Sequence, residues 1–357
     1  VKQIAVIGAG VAGLAAAGRL QEAGFNCTIY EKSRGVGGRA ATRRVDRFTF
    51  DHGANYVKAP DGPLRALVEG SRGSQGDPAH DIGRPVWVFD AAGRIAEGDP
   101  AQNADEKWTW RSGITALAKS MAAGLPIAFG QQVTRIAPGK SARYGLFDAA
   151  DALLAEADAV LFTPPGPQTA AILCRSNIAA ALRDEVLALL EPVQYRRCIA
   201  YVFAFPRRPQ VPWYALVNLD RRHPIAWLAC EHDKPGRVPD GSGLMMAQMS
   251  HDFSVAHWDD VAKGTAGSAV GMPFPPSAET VAGLIGEVIG QELGEPGWVH
   301  LQRWRYALPD GSADFDQLNR NGVGLFFAGD YVTGLGRVHL AIESGWQVAE
   351  RIVHKHR

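Results

Sequence analysis

Three observations predict an α/β fold. The chain opens with a strand-like run leading into a glycine-rich turn and a helix, carries a series of separated strand-like runs between Arg196 and Arg305, and returns near its end to a short buried strand closed by Gly-Asp. The expected architecture is a Rossmann-like nucleotide-binding domain with an inserted α+β domain built on an antiparallel sheet. The length of 357 residues exceeds what one hydrophobic core ordinarily supports, which argues for two domains.

Residues 3–7 read as a buried strand, 11–23 as an alanine-rich helix ended by Gly24, and 26–30 as a second strand, a βαβ opening. From Asp51 to about Gly130 the pattern loosens. The Gly-, Asp- and Ser-rich stretch 70–81 reads as surface loop, and Trp108, Trp110, Arg111 and Gly113 read as a domain crossing ahead of a helix over 114–122. Strands are expected at 131–136 and 159–162, the second closed by Pro164 and Pro165, which cannot donate to a ladder. Further strands at 198–205, 214–219, 225–231, 244–250 and 298–305 have the spacing of an antiparallel sheet, covered by helices such as 278–293. A strand at 324–328 and a helix over 340–354 complete the chain. The nucleotide domain is therefore expected to comprise 1–56, 131–170 and 306–357, and the inserted substrate domain 57–130 and 171–305.

Hydrophobic residues at 46%, charged residues at 21%, and 37 basic against 37 acidic residues describe an ordinary globular protein without a net field. Nothing in that balance suggests nucleic acid or an acidic membrane surface as a partner. The first apolar run is too short for a membrane span and lacks the head and cleavage site of a signal peptide, so a cytoplasmic location is expected. Cys27, Cys174, Cys198 and Cys230 form no CxxC pair and read as reduced, buried thiols. His251 with Asp252, and His257 with Asp259, have no third ligand at a recognisable spacing, so no metal is expected. Covalent hydrolysis has no support either, because there is no GxSxG elbow.

Gly8, Gly10 and Gly13 stand between the first strand and helix, with Val11 and Ala12 opening the helix. In that context the glycines allow a tight turn, close approach of a pyrophosphate and tight helix packing, while the helix N-terminus faces the phosphates. Glu31 follows at the end of the second strand, at about the twenty-residue spacing that lets a carboxylate accept ribose hydroxyls. The alternative is a glycine turn that binds nothing and a surface carboxylate. These residues do not separate NAD from FAD, but an acidic Glu31 repels a 2′-phosphate and disfavours NADP.

Glu31, Lys32 and Arg34 followed by Gly37, Gly38 and Arg39 resemble the GG-Arg segment of the flavin amine oxidase superfamily, where Arg39 would neutralise pyrophosphate. Asp51, Gly53, Ala54, Asn55 and Tyr56 resemble the segment such enzymes pass beside the isoalloxazine ring; an ordinary turn after a strand is the alternative. Leu325 to Phe327, Ala328, Gly329 and Asp330 resemble the second FAD motif. After them Gly334, Gly336, Arg337, Val338 and His339 resemble the loop that brings a helix N-terminus to the flavin. The resemblance spans nearly the whole chain and implies a p-hydroxybenzoate-hydroxylase-like two-domain architecture, with Val133 and Trp304 in the cofactor-binding set. The closing loop has no cysteine, which implies non-covalent FAD.

Within the superfamily, Lys32 to Gly35, Thr163 to Pro165 with Gln168, and Trp304 to Ala307 are most similar to the renalase-like branch. That resemblance implies an oxidase taking a hydride from a dihydronicotinamide-type small molecule, with dioxygen as the electron acceptor. Two departures bear on the substrate: Gln248 stands where some bacterial relatives have histidine, and His339 where an acidic residue is common. Gln248, Tyr306 and His339 are the candidate catalytic residues, although a loop histidine such as His339 is as readily structural. Trp108, Trp110, Tyr201, Trp213, Tyr214, Trp227 and Trp304 either line an aromatic pocket or belong to sheet core. The alternatives are an amine oxidase acting on a small amine, and a flavin-binding protein without turnover. The sequence leaves the oligomeric state open.

Overall fold

The computed structural model describes residues 3–73, 76–260, 275–320 and 322–356. Its contacts form two compact units: Val1–Ala40, Leu117–Tyr195 and Leu308–Arg357 in the first, Ala41–Ala116 and Arg196–Ala307 in the second.

In the first unit the strands Leu325–Phe327, Ala159–Phe162, Gln3–Ile7, Asn26–Glu31 and Ile127–Phe129 lie side by side in that order in a parallel sheet. The inner strands Gln3–Ile7 and Ala159–Phe162 are almost continuously apolar because helices cover a parallel sheet on both faces. Ile7, Phe162, Leu325 and Phe327 join one core with Leu173, Val186 and Leu190 from the helices Gly166–Cys174 and Ala180–Leu190. The first helix, Val11–Glu22, packs against the last, Val338–His356. Their contact requires an absent side chain: a Cβ on Gly345 would lie 2.3 Å from Ala12 O. A small antiparallel sheet, Arg135–Pro138, Tyr144–Phe147 and Leu153–Ala157, completes this unit.

The second unit is built on a seven-stranded sheet in the order Trp298–Asp310, Gln194–Phe205, Gly243–Met249, Ile225–Cys230, Ala215–Asn218, Val86–Phe89 and Ile95–Ala96. Ala215–Asn218 and Val86–Phe89 pair in parallel, while the neighbours of Ile225–Cys230 are antiparallel. One face is sealed by the helix Pro276–Ile289, whose Val281, Ile285 and Val288 meet Tyr201, Phe203 and Met245. On the other face Tyr214, Val202 and Met246 pack with Phe50 from the hairpin Thr42–Val45 and Phe48–Asp51.

The expected α/β fold is therefore present, with an antiparallel-rich second unit. The divisions fall elsewhere than expected. Residues 41–56 belong to the second unit, because Asp51 anchors their hairpin to Lys234 and Arg237. Residues 117–130 and 171–195 belong to the first, because Ile127–Phe129 pairs with Asn26–Glu31 and the helix Ala180–Leu190 packs into the first core. The single strand expected at 131–136 is interrupted: Gly130 turns with φ 69°, Gln131 N donates to Glu31 O, and the next strand begins only at Arg135. In the loop expected at 70–81, residues 74 and 75 lie outside the described residues, and His80–Asp81 pairs with Trp108–Thr109. The cysteines are free, but only Cys27 and Cys230 are buried; Cys174 is exposed and Cys198 half-buried. No helix among the described residues is long and apolar enough to cross a membrane.

The two glycines Gly18 and Gly345 should respond oppositely to substitution. A Cβ on Gly18, inside the first helix, meets nothing within 4 Å, so Gly18→Ala should stabilise by roughly 1 kcal/mol through helix propensity. Gly345→Val should destabilise by at least about 1–3 kcal/mol through overpacking. Chemical denaturation checks both signs; a neutral Gly345→Val would contradict the close approach.

Candidate functional site

The first unit gathers the opening motif around one turn. Gly8 has φ 100°, and a Cβ there would meet Thr163 Oγ1 at 2.9 Å; a Cβ on Gly13 would sit 2.2 Å from Gly8 O. Both positions are therefore glycine for internal packing. Gly10 differs: it caps the helix in extended conformation, and a Cβ would meet nothing within 4 Å. Open space in front of a helix N-terminus is where an anion is stabilised by the helix dipole, so the turn fits a pyrophosphate. The loop after the second strand lies against it, with Gly37 N donating to Ala9 O, and a Cβ on Gly38 would lie 3.6 Å from Gly10 Cα.

Glu31 is buried beside this turn. Its Oε2 accepts from Ala9 N and its Oε1 from Ser33 N, each at 2.8 Å. These bonds hold the carboxylate at the mouth of the turn, while each oxygen keeps acceptor capacity for a ribose hydroxyl. Lys32 and Arg34 are exposed on the following loop.

From the far end of the chain, Gly329 turns with φ 134° and its N–H donates to Ser344 Oγ in the last helix. Asp330 is buried and makes a bidentate ion pair with Arg39, the Nη2–Oδ1 arm measuring 2.8 Å, and it accepts from Tyr195 OH at 2.7 Å. Burial and the Asp330 charge both push the Tyr195 phenol up, so it stays a donor. Asp330 and Arg39, 291 residues apart in sequence, are thus brought together. Gly336 passes so close to Leu308 that a Cβ would clash at 2.3 Å. Arg337 beyond it is exposed, and Val338 and His339 open the last helix half-buried. Val133 is 4% exposed and belongs to the hydrophobic core of this unit.

The second unit holds the segment from His52 to Tyr56 by its backbone. Trp304 Nε1 donates to His52 O at 2.7 Å, and Gln248 Nε2 donates to Gly53 O at 2.6 Å. Gln248 sits opposite Trp227 and Ala200 in the neighbouring strands. The Tyr56 ring lies 6.2 Å from Trp227 and 6.3 Å from Tyr214, and Ala54 is half-buried between these anchors in sequence. Asn55 Oδ1 and Trp227 Nε1 are buried without a hydrogen-bond partner. Gln248, Asn55, Tyr56 and Trp304 thus form one constellation. Tyr306 is half-buried further along the edge strand. Trp110, Tyr201, Trp213 and Tyr214 are fully buried, so these four aromatics serve the core.

Two buried polar clusters support this segment, and no spacing in the sequence announces either. Asp51, Glu231, Lys234 and Arg237 have fully buried side chains and form a neutral quartet. Lys234 Nζ lies 2.9 Å from Asp51 and 2.6 Å from Glu231, and Arg237 Nη2 lies 2.9 Å from Asp51. Burial alone would raise the Asp51 carboxyl, but the Arg237 and Lys234 charges hold it well below the usual range. Beside it His52 Nδ1 and His300 Nε2 are 3.0 Å apart. Burial pushes His52 down to about 4, and burial with the neighbouring His52 and Arg43 pushes His300 down to about 3. His251 and His257 have other duties: the first accepts from Arg197 N and the second pairs with Asp260.

A glycine turn with a strand-end carboxylate, joined by a strand and helix from the opposite end of the chain, defines a dinucleotide-binding oxidoreductase fold. The particular family follows from comparison. Residues 79–353 match the family described as flavin containing amine oxidoreductase, and residues 6–70 match the NAD(P)-binding Rossmann-like domain. The chain belongs to the flavin containing amine oxidoreductase family.

Among curated relatives, a 4,4'-diapophytoene desaturase (4,4'-diaponeurosporene-forming) of Staphylococcus haemolyticus is 55% identical over 87 residues, 24% of this chain. The match spans only 17% of that relative's length. Among solved structures, a protein described as a protoporphyrinogen oxidase from Exiguobacterium sp. 255-15 superposes with a TM-score of 0.72 at 16% identity, covering 99% of both chains. Cyclohexylamine oxidase from Brevibacterium oxydans gives 0.73 at 14% identity, again over 99% of both. These likenesses establish the fold.

The histidine pair makes a signed pH prediction. Both folded values lie below the ordinary histidine value of about 6.5, so the unfolded chain takes up protons first as the pH falls. Stability from the neutral pair is fully present above about pH 6.5 and is lost as the pH falls toward 4 and then 3. Each histidine contributes a slope of up to about 1.4 kcal/mol per pH unit. Denaturant unfolding at about pH 7 and about pH 5 should show a smaller difference for His300→Phe than for the parent. Equal differences would mean the pair does not titrate on unfolding.

Proposed function

We propose that this chain is an oxidase that takes a hydride from a flat dihydronicotinamide-type small molecule, with dioxygen as the electron acceptor. The observation that carries this reading is a pair of orphan polar atoms beside Tyr56: the acceptor Asn55 Oδ1 on its neighbour in sequence, and the donor Trp227 Nε1 on a ring 6.2 Å away. A carboxamide offers the complementary N–H and C=O, and the ring that bears it offers a flat face to aromatic neighbours. Leaving two buried polar atoms unmatched costs roughly 1–3 kcal/mol each, which a substrate supplying both bonds would recover.

When bound, FAD would supply the redox chemistry, a two-electron acceptor for hydride that dioxygen can reoxidise to give hydrogen peroxide. The chain's own residues bind and position. We assign the pyrophosphate to the Gly8–Gly13 turn with Gly38, the adenosine ribose to Glu31, and the ribityl or pyrophosphate-proximal end to Asp330 and Arg39. Lys32, Arg34, Arg337, Val338 and His339 border that set by resemblance, and no cysteine in the 334–337 loop suits covalent attachment. Gln248 and Trp304 act as positioning residues by holding the carbonyls of Gly53 and His52. A dihydro-ring that aromatises on losing hydride requires no strong base, which agrees with the neutral His52 and His300 near pH 7.

The second reading is oxidation of a small amine. The Tyr56 and Trp227 rings also suit an amine's carbon skeleton, and cyclohexylamine oxidase shares the fold.

Anaerobic mixing of the flavin-loaded protein with dihydronicotinamide isomers and with an amine panel separates the two. Rapid loss of the yellow flavin band with the isomers alone is expected, and bleaching by amines alone would transfer the assignment. Asn55→Ala and Trp227→Phe should each slow bleaching by about tenfold, the loss of one hydrogen bond. Unchanged rates in both would remove the carboxamide contact from the account.

A further inference from the structure

Where the strand Ile225–Cys230 ends, the chain turns through Glu231–Asp233, and its side chains part to two sides. Glu231 joins the buried quartet. Cys230, His232 and Asp233 instead gather a thiol sulfur, an imidazole nitrogen and a carboxylate oxygen within 4.8 Å of one another. Cys230 is fully buried and His232 is 5% exposed. His232 Nε2 has no hydrogen-bond partner and faces Asp233 Oδ1 at 3.9 Å. We propose that Cys230, His232 and Asp233 form a site for a thiolate-binding divalent transition metal such as zinc.

The surroundings are those a metal site needs. His232 Nδ1 lies 3.0 Å from Leu244 O and 3.1 Å from Leu244 N. Leu244 N donates to Nδ1, so metal binding would select the other tautomer, in which Nδ1–H donates to Leu244 O and the Nε2 lone pair is free for the metal. Arg84 Nη1 donates to Asp233 Oδ2 at 2.5 Å and Arg84 Nη2 donates to Val211 O, leaving Asp233 Oδ1 turned toward the imidazole. Sulfur, nitrogen and oxygen ligands at about 2.0–2.3 Å would span tetrahedral edges of roughly 3.3–3.8 Å. The ligand atoms need to close by about an ångström, within reach of side-chain torsions.

A thiolate ligand requires that binding be coupled to release of the thiol proton to solvent. Two anionic ligands and one neutral imidazole balance a divalent cation, with the Arg84 charge outside them. The fourth position falls to water or an anion. Such a metal would tie the turn at 230–233 to the strand Gly243–Met249 through His232. The site is independent of the flavin assignment.

The test uses the flavin-loaded full chain, dialysed against chelator and titrated with Co²⁺ and then Zn²⁺. We expect one Co²⁺ per chain, with a thiolate-to-cobalt charge-transfer band in the near ultraviolet that Zn²⁺ displaces. Cys230→Ser should abolish the band, and His232→Gln should abolish or greatly weaken it. Cys174→Ser, at the exposed cysteine, should leave it intact. Arg84→Met should weaken Co²⁺ binding by roughly 10–100-fold, as loss of an outer partner does. Flavin absorbance and far-ultraviolet dichroism confirm folding of each variant. Absence of the band in the parent, its persistence in folded Cys230→Ser, or its loss in Cys174→Ser would each overturn the site.

Discussion

The first unit depends on the approach of two helices that start from opposite ends of the chain. Gly13 lets the first helix follow its strand after the tightest possible turn, and Gly345 lets the last helix lie on that first helix. A side chain at either position would push backbone away from backbone, and a close-packed interior has no slack to absorb it. Because the last helix is seated there, Ser344 can accept from Gly329 N, and Asp330 is presented to Arg39. The nucleotide turn and the closing motif are therefore one packing solution, although more than 300 residues separate them in sequence.

The second unit meets a different constraint. Four buried charges, Asp51, Glu231, Lys234 and Arg237, hold the hairpin that carries His52 to Tyr56, and they are neutral as a set. Removing one member of such a set costs far more than the set contributes, because it leaves an uncompensated charge in low dielectric. The segment itself is then fastened through carbonyl oxygens by Trp304 and Gln248, and Asn55 Oδ1 stays buried without a hydrogen-bond partner.

The parts of this protein that were legible in its sequence are those where local chemistry and spacing coincide. The first strand and Ala159–Phe162 appear at the positions their apolar runs indicate, and the first helix begins where the glycines require. Gly8, Gly10, Gly13 and Glu31 meet in space because a βαβ unit leaves them little choice. The domain divisions were not legible, since Asp51 is drawn to Lys234 and Arg237 by charges far away in sequence. The His52–His300 pair and the Cys230–His232–Asp233 group have the same origin: each depends on burial or on strand register, which no motif spacing encodes. Val133 shows the converse, a position assigned by resemblance whose side chain lies in the hydrophobic core.

The central claim is that the opening turn and Glu31 hold the adenosine diphosphate half of FAD. Titration of deflavinated protein with FAD, followed by quenching of flavin fluorescence, in the presence and absence of ADP and in parallel with FMN, tests it most directly. The account predicts tight FAD binding, competition by ADP, and FMN binding weaker by orders of magnitude. FMN binding as tightly as FAD, or FAD binding indifferent to ADP, would contradict it.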